Sequence, residues 1–120
     1  MKNVKDKVYE ALKSQLGENI SDQYPKDWAD FPAVQYTEED NKVYEHTSEG
    51  EAKSYVRYRV DIWHNRSTSE SALKVDSAMS GLGLVRTGCQ DAPDPSGLKH
   101  KVMRYEAIID MENDCVYWPN

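Results

Sequence analysis

Between Tyr58 and Leu82 the spacing of apolar residues changes period. Tyr58, Val60 and Ile62 alternate with Arg59 and Asp61, the repeat of a β-strand with one buried face. Further on, Ala72, Val75, Met79 and Leu82 follow at offsets of three, four and three, which gathers them on one face of a helix. Ser67 stands three positions before Glu70, the spacing at which a hydroxyl and a carboxylate each satisfy a free backbone N–H at a helix start. The pattern predicts a strand over 54–64, a helix over 68–80 capped by Ser67, and Gly81 or Gly83 at the helix end.

The same reading extends along the chain. Val4, Val8, Ala11 and Leu12 share a helical face within residues 3–16, and Gly17 stops that helix. Pro25 and Pro32 exclude a helix core, so 20–24 and 33–37 read as short strands around a loop anchored by Trp28 and Phe31. The stretch 38–52, "EEDNKVYEHTSEGEA", has almost nothing to bury and reads as a long exposed hairpin. Charge of this density predicts a segment that is mobile alone and ordered by a partner, with Val43 and Tyr44 as docking anchors. "GLVRTGCQD" is a further strand, and 91–98 is a second exposed loop.

In "KVMRYEAIIDM" the residues Met103, Tyr105, Ala107, Ile109 and Met111 share one face, while Arg104, Glu106 and Asp110 share the other. Together these elements predict a single α+β domain over 1–120: a mostly antiparallel or mixed β-sheet with two α-helices packed on one face. The other face then shows Arg57, Arg59, Asp61, Arg104, Glu106 and Asp110. Cross-strand pairing inside the sheet is the simpler account of such an alternation of signs; a polar, self-complementary contact between subunits has the same look.

Composition narrows what the domain does. A length of 120 residues suits one hydrophobic core. The net charge of -6 and pI near 5.0 disfavour nonspecific binding to DNA or anionic lipid. No apolar run is long enough to cross a bilayer, and the charged start is unlike a signal peptide, so a soluble chain made in a cytoplasm is expected. Cys89 and Cys115 lack a metal-binding spacing and read as reduced structural thiols. Eight tyrosines and three tryptophans against one phenylalanine favour rings with a polar end, a type found at interfaces and at half-buried sheet positions.

Chemistry is sparse. Asp110, Glu112 and Asp114 alternate as a hard-metal site requires, but neither a histidine nor a Gly-rich loop accompanies them, and a solvated edge is the plainer reading. His46, His64 and His100 are scattered, and Gly81, Gly83 and Gly88 follow a helix rather than open one. Neither catalytic residues nor a cofactor or metal is expected.

The stretch "YRVDIWHNRSTSESALKVDSAMSGLGLVRTGCQD" followed by "HKVMRYEAIID" resembles the tail terminator, or tail completion, proteins of tailed bacteriophages and phage-tail-like particles. The likeness covers about residues 50–111. It rests on a strand ending in an aromatic, a Ser/Thr-capped helix with Glu, a "GL-V-R" strand and a "K-MR-E-II" strand. The resemblance implies a structural virion protein, assembled in the host bacterial cytoplasm, that closes into a homohexameric ring on the head-proximal end of the tail. Its implied partners are itself, the tail tube protein, the head–tail connector protein and, in a contractile tail, the sheath protein. DNA only passes through the lumen, and no membrane is involved. A neck connector or minor tail subunit is the neighbouring alternative. A small metal-dependent nuclease using Asp110, Glu112 and Asp114 is the alternative from another class.

Overall fold

The computed structural model describes residues 1–112 and 116–117. In chain order the elements are α1 (Lys5–Leu16), β1 (Ile20–Ser21), β2 (Ala33–Thr47), β3 (Gly50–His64), α2 (Ser69–Gly81), β4 (Val85–Asp91), β5 (Lys99–Asp110) and β6 (Val116–Tyr117). The strands form one mixed sheet in the order β1-β2-β3-β5-β4, with β6 beside the far end of β5. Only β1 and β2 run parallel; every other pair is antiparallel. The α+β architecture with both helices on one face is as the sequence pattern predicts.

Period-two alternation builds the core. Val56, Tyr58, Val60 and Ile62 of β3 and Met103, Tyr105, Ala107 and Ile109 of β5 point to the helix side. Register places Val60 beside Met103, Tyr58 beside Tyr105 and Val56 beside Ala107. Val8 and Leu12 of α1 and Val75, Ala78 and Met79 of α2 close over them. Each aliphatic side chain so buried contributes about 1.5 to 3 kcal/mol. Tyr58 and Tyr105 are fully buried, yet each phenol donates 2.9 Å to a carboxylate at the core margin, Glu38 and Asp76 respectively. The many tyrosines therefore include core residues, and only Tyr24 and Tyr44 among the described tyrosines are strongly exposed.

Two local expectations change, and a third is refined. The first short strand shrinks to Ile20–Ser21, because Asn19 donates 2.9 and 2.7 Å bonds to the carbonyls of Asp27 and Asp30 and holds 22–32 as a loop. The exposed hairpin expected over 38–52 is there, and β2 and β3 run on as a paired ribbon to Thr47 opposite Gly50. Backbone pairing holds that ribbon where a core is missing, helped by Lys53 on Glu45 at 3.1 Å and Lys42 over the Tyr55 ring. Ser67 lies one residue outside the cap position, which Thr68 occupies without a side-chain bond. Its hydroxyl accepts from the Ser69 N–H at 3.2 Å, while Glu70 turns outward to Lys74.

The end of α2 follows the glycine rule. Leu84 N–H donates to the Met79 carbonyl and Gly83 N–H to the Ser80 carbonyl, with Gly83 at φ +89°. This is the Schellman closure, in which a left-handed residue lets the last carbonyls find donors. A Cβ at Gly83 would also meet Val116 at 3.1 Å.

Candidate functional site

The sheet face away from the helices carries a network of charges. Register sets Arg57 opposite Glu106 and Arg59 opposite Arg104, while Asp61 stands opposite Val102. The residue that joins them comes from β2. A register shift between Glu38 and Asp40 leaves Glu39 as an extra residue, and such bulges redirect a side chain. Its carboxylate lies 3.1 Å from Arg104 Nε, 3.4 Å from Arg57 Nε and 3.9 Å from Arg59 Nη1. One carboxylate thus serves three guanidinium groups, and all four side chains are half-buried.

Of the residues singled out by sequence, Arg57, Arg59, Asp61, Arg104 and Glu106 share this face. Asp110 lies beyond Glu106 at the strand end, accepting 2.9 Å from the Glu112 N–H. Glu39 was missed, because a bulge leaves no mark in a run of acidic residues. Asp61 proves to be an internal residue, its side chain 5% exposed between Arg59 Nε at 2.7 Å and His100 Nε2 at 2.8 Å. It is consumed within the chain, whereas Arg57, Arg59 and Arg104 keep 35–40% of their side-chain surface.

Glu106 accepts a hydrogen bond from the Tyr55 hydroxyl. Burial, and then the neighbouring Glu39 carboxylate, push its carboxyl above the ordinary range, with Lys42 opposing. An acid raised on folding holds its proton longer in the folded state, so stability declines as pH rises from the ordinary 4.5 through the raised value. Glu106→Gln keeps an acceptor for Tyr55 and is expected to remove that decline. Urea midpoints measured from about pH 4 to 8 check this, and an unchanged slope counts against it.

At the His64 end of β3 the same face is covered by aromatic rings from the loop 22–32. Trp63 stacks on His100 with centroids 4.5 Å apart and meets Trp28 edge-on at 5.6 Å and Tyr24 at 5.7 Å. Trp63 Nε1 donates 3.1 Å to Asp94, whose carboxyl is pulled below its usual range first by the Ser96 hydroxyl and then by Trp63. His100 Nδ1 sits 4.0 Å from the same Asp94. The Ser96 hydroxyl donates to Asp94, so this serine–aspartate–histidine group is not wired as a nucleophile and its base. It fastens the 92–98 loop to the sheet.

The remaining candidates stay apart. His64 stacks on Phe31 and His46 lies exposed on the ribbon, so the three histidines do not meet. Among the described residues no three His, Cys, Asp or Glu side chains gather as for a metal ion, and Asp114 and Cys115 lie outside the described residues. Cys89 is exposed on edge strand β4 rather than packed. Val43 and Tyr44 are about half exposed on the ribbon. No described helix is long and apolar enough to cross a membrane. Compared with known families and curated proteins, the chain matches no family model and no curated protein.

Proposed function

We propose that the chain is a structural assembly subunit of the tail-terminator type, which associates with copies of itself into a ring at the head-proximal end of a tail tube. The observation that carries this reading is the uncovered sheet face on which Glu39 gathers Arg57, Arg59 and Arg104. Helices bury one face of the sheet, and the other is left as a rigid, half-buried surface of both signs. Rigidity matters because side chains already held in one geometry lose little entropy on docking. Cationic groups with more than a third of their surface free can exchange acidic partners between neighbours. Such a ring halts tube growth and offers its outer surface to the head connector protein, with tail tube and, in contractile tails, sheath protein as the other partners. The net charge of -6 suits a lumen through which DNA slides without adhering.

Light scattering of the purified chain, alone and with tail tubes, tests this. Arg104→Gln, which removes the charge without setting a second carboxylate beside Glu39, is expected to abolish the ring-sized species while changing folding stability by only about 1 kcal/mol, since a partly exposed ion pair contributes little to a monomer. A folded variant that assembles as before removes the charged face as the contact. Metal-dependent DNA cleavage by the monomeric chain would instead support the nuclease reading.

A further inference from the structure

The molecule measures 52 × 24 × 22 Å, and its two ends differ in chemistry. At one end β2 and β3 project as a ribbon; at about 3.3 Å per residue the strand from Ala33 to Thr47 spans about 45 Å. The ribbon exposes Val43 and Tyr44 by half and carries Glu45, Glu49 and Glu51 against Lys42 between residues 42 and 51. Glu49 has no cationic partner among the described residues.

The opposite end is complementary. A groove of about 570 Å³ runs between the start of α2 and the 92–98 loop, lined by Arg66, Lys99 and Lys101 together with Asp91 and Asp94. Lys101 is held by Asp91 at 2.9 Å, and Asp94 by Ser96 and Trp63. Arg66 and Lys99 are exposed and have no acidic partner among the described residues. Leu98 also lines a second hollow of about 340 Å³ with Tyr24, Trp28 and Phe31, and Tyr24 is 60% exposed. An apolar shelf therefore adjoins a cationic groove, just as Val43 and Tyr44 adjoin Glu45 and Glu49.

We infer that the ribbon of one copy docks on the opposite end of the next, with Tyr44 on the Tyr24–Trp28–Leu98 shelf and Glu49 facing Arg66 and Lys99. This rests on the reading of the chain as a self-associating subunit and adds a second contact to the one made by the charged sheet face. A ribbon cannot reach the far end of its own molecule, so the contact is between copies. Joining unlike ends is heterologous, and such contacts close into rings when the rotation per subunit permits. Because the ribbon is paired within its own chain, docking does not have to order it first.

Light scattering of charge-reversed full-length chains tests the contact. Glu49→Lys alone, and Arg66→Glu with Lys99→Glu, are each expected to weaken assembly about tenfold or more in dissociation constant; combining all three reversals restores it. Unfolding midpoints close to the parent's confirm that each variant folds. In parallel, a Tyr44→Cys chain is mixed with a Leu98→Cys chain, both carrying Cys89→Ser and Cys115→Ser. A disulfide-linked pair of the two chains supports the contact, even where assembly is weak.

Assembly unaffected by the reversals, without a cross-link, overturns the ribbon contact and leaves the ring reading in place. Single reversals that weaken assembly without rescue by the triple variant also overturn it. A chain that stays monomeric at every concentration and with tail tubes, and that yields no cross-link, overturns both.

Discussion

Tyr58→Ala is expected to cost about 3 to 5 kcal/mol, the range for deleting a buried ring, out of a total stability of about 5 to 15 kcal/mol. Tyr58 is fully buried on β3, the middle strand of β1-β2-β3-β5-β4, beside Tyr105 and beneath both helices. Tyr58→Phe separates ring from hydroxyl: it removes only the 2.9 Å bond to Glu38, which still accepts from Asn41, for about 1 kcal/mol. Urea denaturation distinguishes the two, and a Tyr58→Ala loss below about 1 kcal/mol would place the ring outside the core.

The same residues set an alkaline limit. Burial, and then the bonds to Glu38 and Asp76, push the phenols of Tyr58 and Tyr105 well above their ordinary value of 10.0. The unfolded chain ionises these groups first, so stability falls as pH rises past that value. The phenolate absorbance of Tyr58 and Tyr105 should accordingly appear together with unfolding.

Asp61→Ala has the second large effect, a loss of about 2 to 4 kcal/mol. Breaking a buried pair typically costs about 3 to 5 kcal/mol because a charge or donor is left without its partner. Here the loss is smaller, since Arg59 is 35% exposed and returns to water. His100, with 12% of its side chain exposed, has no such recourse. A double-mutant cycle of Asp61→Ala with His100→Ala isolates the 2.8 Å contact; coupling above about 0.5 kcal/mol is expected. Additive effects would show that His100 is held by its stack on Trp63 rather than by Asp61.

Asp61 also illustrates how far a sequence pattern reaches. Alternation assigned it correctly to the face opposite Val60 and Ile62, because side-chain direction in a strand follows from pleating alone. Its burial came from elsewhere: the 22–32 loop folds Trp28 and Tyr24 over Trp63, and β5 brings His100 from 39 positions away. Cys89 failed in the reverse sense, since a strand's residues are covered only where another layer reaches them. Glu39 failed because one extra residue in β2 turns it toward the arginines, and Glu38, its neighbour, serves the core side instead.

What the chain determined locally was the set of elements and their faces: the strands around Tyr58 and Tyr105, the helix carrying Val75 and Met79, and its glycine-terminated end. These depend on periods of two and 3.6 and on left-handed glycine geometry, which are properties of contiguous residues. The charged residues of the open face were legible for the same reason. Which of them meet was decided by register and strand order, and the ribbon of 38–52 acquired structure because strands already aligned by the core extend their ladder outward. Pairing energies of that kind arise between residues far apart in the chain, so only the tertiary structure could place Glu39 among three arginines and set an acidic ribbon and a cationic groove at opposite ends of one molecule.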